Sequence, residues 1–340
     1  MNSTQVAVDL AKTVFQVAVS TRPGHVDEQH RLTRSRFERF MAELEPSEVL
    51  LESCGTAHHW GRELEELGHT VRLLPVADVR RYRTGNKTDQ ADAKALLEAA
   101  RNTAIAAVPV KTIDQQAIMA LHRVRAGYVH THTARINCVR GLLREFGVTI
   151  PVGKRHVVPR ARAALRDGAV PGYLEPVLLE AVEEIEELQD KVDDIAHRLK
   201  ALARKMPETR LLMSVPGIGV LTATALVAYV GDVRRFRSGR HFAAYLGLTP
   251  KEHSSGLSRR LGRISKRGDG YLRMLLIHGA RSVLRWSKQK EDLDGLRQWA
   301  LGVMHRSGHN TAAVALANKL ARITWRVWRD GRRFEERYVV

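Results

Sequence analysis

An α/β domain followed by a mainly helical remainder is the fold class this sequence predicts. Three observations carry that reading. The first hundred or so residues alternate short runs of Val, Leu and Ala with helical patterns, as a mixed sheet flanked by helices requires. The stretch from 111 to 205 is dominated by long helical periodicity. The last third sets apolar helical segments around a strongly basic stretch. The chain of 340 residues is long enough for two or three cores, and the changes in character place boundaries at 1–110, 111–205 and 206–340.

Taken in order, residues 5–20 (QVAVDLAKTVFQVAVS) read as two short strands joined by a tight turn. Residues 33–44 predict a helix. EVLLES is a short apolar strand ending at Glu52, GTAHHWGRELEELG is a helix stopped by Gly68, and HTVRLLPV is another strand. TDQADAKALLEAARN is a helix capped by Thr88 or Asp89. The segment from Asp114 to Gly147 contains no proline and predicts one long helix. Pro151, Pro159 and Pro171 mark 151–171 as a connector. In the acidic helix that follows, Leu178, Ala181, Ile185, Leu188, Val192, Ile195, Leu199 and Leu202 recur at spacings of three and four. That is a heptad seam, which either packs within its own domain or pairs two protomers as a coiled coil; the length of the seam favours the pair. Beyond it, RLLMSVPGIGVLTATALVAYVG places two apolar helical stretches around a Pro-Gly-Ile-Gly turn, and AAVALANKLARITWRVW is amphipathic.

Lys and Arg number 55 against 37 Asp and Glu, a net charge of +18. Such an excess favours a polyanionic partner, because each phosphate contact releases condensed counterions. Half of it falls between Lys251 and Lys290, where eleven basic residues face two acids, Glu252 and Asp269. No run is long and apolar enough for a transmembrane helix. Asp9, Lys12 and Gln16 interrupt the N-terminal apolar stretch, so neither membrane nor secretion is expected. Two cysteines, Cys54 and Cys138, exclude a disulfide framework and suit a reducing cytoplasm. The adjacent His58 and His59 lack zinc-ligand spacing.

Four acids stand out by context. Asp9 interrupts an apolar strand, Glu52 ends another, and Asp89 and Asp92 share a face at a helix start. A carboxylate in an apolar strand is costly unless it is paired, protonated or bound to a cation. Acids converging from two strands and a helix would make an oxygen-rich site for Mg²⁺ or Mn²⁺. Two such ions can clamp both sides of a phosphodiester during in-line displacement. Asp89 and Asp92 can equally serve as a cap and a solvated first-turn acid. The order of the four, strand, later strand, then helix, is a ribonuclease-H-like arrangement.

The segments VDLAK, LLESCGTAHHW and KTDQADAKAL resemble the DEDD motifs of insertion-sequence transposases of the IS one-ten family. VPGIG, LGLTPKEHSSG, GRISKRGDGYLR and HNTAAVALANKLA resemble the C-terminal transposase domain of the same family. Each motif alone is weak; together, in this order across nearly the whole chain, they are highly specific. The resemblance implies a RuvC-like N-terminal domain, a coiled-coil dimerisation element and a serine-bearing C-terminal domain. It implies a composite site in which the acids of one protomer meet the serine of another, in homodimers assembled into a synaptic tetramer. It also implies guidance by a structured noncoding RNA, the bridge RNA, that pairs with donor and target DNA. Carried onto this sequence, the metal-binding acids are Asp9, Glu52, Asp89 and Asp92, and the serine is Ser255, with Ser254 the adjacent candidate.

A serine fits the chemistry because a phosphoserine conserves the bond energy of the broken strand, which can then be rejoined without an external energy source. Arg259, Arg260, Arg263, Lys266 and Arg267 follow it and could neutralise the phosphate. Taken by itself, EHSSG is an ordinary polar turn. Gly217 and Gly219 resemble a helix-hairpin-helix turn, whose backbone N–H groups approach a phosphate, or else a plain helix–helix turn. Trp286, Trp299, Trp325 and Trp328 suit core packing better than base stacking. Two other functions compete with the recombinase. A junction-resolving nuclease would use the four acids alone, and a non-catalytic RNA-binding scaffold would need neither acids nor serine.

Overall fold

The computed structural model describes residues 4–22, 25–83, 88–289 and 293–335, and the backbone alone of Asp89 and Gln90. The chain forms two compact units, residues 1–113 and 114–340.

The first unit is built on a five-stranded sheet with the order β3-β2-β1-β4-β5. Strands β1 (Gln5–Leu10), β2 (Val14–Ser20) and β3 (Glu28–Thr33) run as an antiparallel meander. Strands β4 (Glu48–Glu52) and β5 (Thr70–Leu74) are parallel to β1. Helices α1 (Arg34–Glu43) and α2 (Ala57–Glu66) cover one face. There Phe15, Phe37 and Trp60 meet edge to face at 5.1–5.3 Å between centroids. The short α3 (Val76–Val79) and α4 (Asp89–Ala100) cover the other face. Small residues of α4, Ala93, Ala95 and Ala99, let it lie close on Ala7 and Ala18 of the sheet. Thr88 caps α4 by accepting from the Ala91 N–H at 3.2 Å. Strand β3 has no apolar alternation in its sequence, EQHRLT, and holds its place as an edge strand through the ladder to β2.

Among the described residues, the second unit is helical except for one hairpin. Helix α5 (Ile113–Glu145) is followed by a 3₁₀ turn, Lys154–His156, and α6 (Val157–Arg166). The segment expected as a connector thus folds, because Pro159 falls in the first turn of α6, where a missing N–H costs nothing. Helix α7 (Glu175–Lys205) carries the seam, and its buried positions are Leu178, Val182, Ile185, Leu188, Val192, Ile195, Leu199 and Ala203. The start of α7 packs on Ile136, Val139 and Leu143 of α5 and on α6. Its end packs on Ile118 of α5. The two long helices therefore run antiparallel as an intramolecular hairpin, with Arg135 of α5 ion-paired to Glu184 of α7. The seam, rather than lying open for a second protomer, is filled by α5. Heptad spacing specifies an apolar stripe but not which helix will cover it.

The remaining helices are α8 (Pro207–Leu212), α9 (Val220–Val230), α10 (Gly239–Tyr245), α11 (Gly270–Ser287), α12 (Gly295–Ser307) and α13 (His309–Asp330). Helix α9, VLTATALVAYV, is apolar on every side and lies inside the bundle, as its composition requires. Strands β6 (Pro250–Glu252) and β7 (Leu261–Ile264) form an exposed antiparallel hairpin. Among the described residues, no helix is long and apolar enough to cross a membrane.

A buried polar cluster ties α5 to this bundle. His122 is fully buried, with Nδ1 3.0 Å from the Tyr271 hydroxyl and Nε2 3.0 Å from Thr224 Oγ1. Thr224 donates its own proton to the Val220 carbonyl at 2.7 Å, so Nε2–H is the donor and Nδ1 accepts from Tyr271. Burial, and secondarily the Arg125 charge, push the imidazole down from 6.5 to about 4. Unfolded chains then bind more protons than folded ones between those two values. This stabilisation is complete above pH 6.5 and is lost as pH falls through 4; the loss is about 3 kcal/mol. Urea midpoints at pH 7 and pH 4.5 should differ accordingly, and His122→Gln should flatten the difference. An equal pH dependence in the variant would show that another group controls it.

Candidate active site and nucleic-acid interface

Asp9 and Glu52 are brought together by register. Val8 pairs with Leu51 across parallel β1 and β4. The next residues, Asp9 and Glu52, therefore stand side by side at the C-terminal ends of the two strands, about 4.8 Å apart across the sheet. Val8 and Leu51 belong to the core under α1 and α2, whereas Ala7 and Leu50 face α4. Alternation puts both acids on the α4 side, where each is half-buried.

Helix α4 runs back toward the same edge. Arg72 donates to the carbonyl of Ala100, the last residue of α4, at 3.3 Å, and to Glu48 at the start of β4 at 2.9 Å. That clamp fixes the C-terminus of α4 at the beginning of β4. Eight residues of helix, about 12 Å, then carry Asp92 to the level of Glu52, which lies about 13 Å along the strand. Asp92 is ion-paired to Arg83 at 3.0 Å. The side chain of Asp89 lies outside the described residues, although its backbone opens α4 on this edge. Among the described residues, no three metal-ligating side chains approach closely enough to cage a cation. The donor set is nevertheless all carboxylate oxygen, the chemistry of a hard divalent ion, and Arg83 already holds a positive charge against Asp92.

Ser255 lies at the tip of the β6–β7 hairpin. Ser255 and Ser258 exchange backbone hydrogen bonds at 3.1 and 3.0 Å, closing a two-residue turn in which Gly256 takes φ 53°. The neighbouring Ser254 is engaged. Its hydroxyl donates to Glu252 Oε1 at 2.7 Å and accepts from the Arg260 N–H at 3.1 Å. Ser255 is exposed, and its hydroxyl has no hydrogen-bond partner among the described residues. Arg259 lies 3.4 Å from Glu252, so one cation of the basic run braces the hairpin. Arg260 and Arg263 are exposed on it.

The base of the hairpin is locked by close backbone packing. Ser265 and Lys266 donate N–H groups to the carbonyls of Thr249 and Gly247 at 2.8 and 3.1 Å. A Cβ on Gly247 would fall 2.0 Å from the Arg267 carbonyl oxygen, and one on Gly268 would fall 1.9 Å from that of Tyr245. Lys266 is held at φ 54°, a left-handed conformation that a lysine adopts only under constraint. These contacts set the direction in which the serine-bearing tip projects from α10 and α11. Elsewhere, Gly217 (φ 80°) meets Gly279 of α11 so closely that a Cβ on Gly279 would stand 2.1 Å from the Gly217 carbonyl. Helix packing thus accounts for Gly217. Gly219 caps α9 on open surface, with nothing within 4 Å of its would-be Cβ.

Known proteins match both halves of the chain. Residues 6–148 match a transposase family, the DEDD transposases of the IS110 type, and residues 209–293 match the family described as transposase IS116/IS110/IS902. A probable family 20 transposase of Pseudomonas aeruginosa is 43% identical, with the alignment covering 96% of both chains. The chain belongs to the IS116/IS110/IS902 family of transposases. The transposase for insertion sequence element IS1111A of Coxiella burnetii is 38% identical over 94% of this chain and 87% of its own. That for IS1328 of Yersinia enterocolitica is 34% identical over 98% and 99%. This is therefore a DNA transposase, and a DEDD domain of this type points to dependence on a divalent metal in general.

Sequence reasoning missed the two strands of the hairpin that carries Ser255 at its tip. The hairpin is exposed on both faces, so β6 and β7 have no apolar alternation to read. The Glu252–Ser254 pair had a signal: residues two apart share one face of a strand. Of the tryptophans, Trp325 is 6% exposed and fills the core, whereas Trp286 is 60% exposed.

Proposed function

We propose that this transposase cuts and rejoins DNA through a phosphoserine at position 255, with Asp9, Glu52, Asp89 and Asp92 serving Mg²⁺ (or Mn²⁺). The arrival of Asp9, Glu52 and the acidic first turn of α4 at one edge of the sheet is the observation that carries the reading. The strand order, three antiparallel strands continued by two parallel ones, agrees with the RuvC-like domain that the resemblance implies and supports the reading.

In the proposed reaction Ser255 Oγ attacks the phosphorus. The Oγ–P bond forms as the bond to one deoxyribose oxygen breaks, and the serine proton ends on the departing hydroxyl. The bound divalent ion would supply charge neutralisation at the non-bridging and leaving oxygens. Arg260 and Arg263 flank the tip and offset charge on the equatorial oxygens of the pentacoordinate transition state, while Lys266 and Arg267 hold neighbouring phosphates. Gly219 offers the open N-terminus of α9 to the backbone as well. Rejoining is the reverse step with a different hydroxyl as nucleophile. The family resemblance supports a structured bridge RNA that selects donor and target DNA, and homodimers that assemble into a synaptic tetramer.

The test is a trapping assay in which the protein, its element's DNA ends, the element's noncoding RNA and Mg²⁺ are quenched with denaturant. A covalent protein–DNA adduct, mapped to Ser255 by peptide mass, is the expected result. Cleavage without any adduct would instead establish a hydrolytic nuclease that uses the acids alone.

A further inference from the structure

Apart from the hairpin, the second unit holds another concentration of positive charge. A groove of about 860 Å³ opens where the start of α10 meets the C-terminal half of α13. Arg240, Lys319, Arg322, Arg326 and Arg332 line it against a single carboxylate, Asp330, which is ion-paired to Arg326. Among the described residues, Arg240, Lys319 and Arg322 have no carboxylate partner.

The groove is built rather than incidental. Gly239 lets α10 meet α13 backbone to backbone, since a Cβ there would stand 3.0 Å from the Arg322 carbonyl oxygen. Lys319, Arg322 and Arg326 follow one another at i, i+3 and i+7, a row about 10 Å long on one helix face. Burial and the neighbouring Arg322 charge lower the Lys319 pKa, so the cations are crowded against one another without a counter-ion. Trp325 lines the same groove, and its buried indole N–H has no acceptor. Lys319 Nζ lies 4.4 Å from the centroid of the Trp299 ring, which carries no formal charge, so an anion seated here would relieve the repulsion.

Two connections tie the groove to the hairpin. Helix α10 spans seven residues, so its N-terminus at the groove lies about 10 Å from its C-terminal end at Tyr245, two residues before Gly247 and the hairpin base. One turn before Arg322 on α13, Asn318 donates to the Leu248 carbonyl at 3.1 Å. A ligand in the groove is therefore held at a fixed distance from the serine-bearing hairpin.

We propose that this groove is a second backbone-binding site for duplex DNA, gripping phosphates that flank those reached by the hairpin. Duplex DNA is favoured over single-stranded RNA because the groove offers a row of cations and no exposed ring on which a base could stack, Trp325 being 6% exposed. The proposal rests on the transposase reading of the hairpin but adds Arg240 and Arg326, which lie outside the motifs quoted for the family, and joins them to Lys319, which lies inside one.

The test measures binding of the full-length protein to a fluorescent 30-base-pair duplex over a salt series without divalent ion. Each lost phosphate contact should reduce the slope of log K against log salt by about 0.9, so a triple substitution R240Q/K319Q/R322Q should reduce it by about 2.7. The loss should be alike for unrelated duplex sequences. Arg240→Gln alone, at an exposed position, should give about 0.9 and guards against misfolding of the triple variant. An unchanged slope in both variants would overturn the proposal. A loss confined to an RNA hairpin titrated in parallel would overturn the choice of DNA. No chemistry is needed for this readout, so a missing adduct in the trapping assay faults the serine, whereas an unchanged slope faults the groove.

Discussion

Ser255→Ala should leave DNA binding intact and abolish the covalent adduct, with strand exchange lowered about a thousandfold or more. The expected size follows from the chemistry. Without Oγ there is no nucleophile and no phosphoserine to store the bond energy, and the remaining cations can only position the phosphate. The fold should be unaffected, because Ser255 is exposed and its backbone hydrogen bonds to Ser258 survive the substitution. Ser254→Ala should behave differently. It removes the hydrogen bonds to Glu252 and Arg260 that brace the hairpin, so activity should fall through misplacement of the tip while the adduct still forms. Denaturing gels of both variants beside wild type decide the matter. An adduct that persists in Ser255→Ala and disappears in Ser254→Ala would move the nucleophile by one residue.

Asp9→Asn and Glu52→Gln should each reduce metal-dependent cleavage about a thousandfold while leaving the protein folded. The two carboxylates stand on neighbouring strands at matching register, so a cation between them depends on both. The double variant should accordingly lose little more than either single one, since residues that act as a unit are not additive. Added Mg²⁺ should raise the melting temperature of wild type and not of the variants, through preferential binding to the folded state. Full cleavage activity in either variant would end the metal-site assignment.

Much of the first unit was legible in advance because its strands are buried on both faces and its helices on one. Strands β1, β2, β4 and β5 read as runs of Val, Leu and Ala bounded by turns, and the cap at Thr88 announced α4. Asp9 was conspicuous for the same reason: a carboxylate among Val6, Val8 and Leu10 breaks the pattern. Strand β3 escaped notice because an edge strand with one exposed side needs no apolar alternation. Helix α6 was hidden by its own proline, which is harmless only because it falls in the first turn.

Sequence alone determined the family, the order of the acids and serine along the chain, and the excess of positive charge, because each of these is a property of residue identity and spacing. Tertiary structure decided what those residues face. It turned the α7 seam inward onto α5, since an apolar stripe is covered by whichever helix reaches it at least loss of entropy, and α5 belongs to the same chain. It set Asp9 beside Glu52 through strand register, and it assigned Gly217 to a contact with Gly279 more than sixty residues away. It also drew Arg240 and Arg322, which no motif joins, into one groove, because the missing Cβ of Gly239 lets two backbones touch.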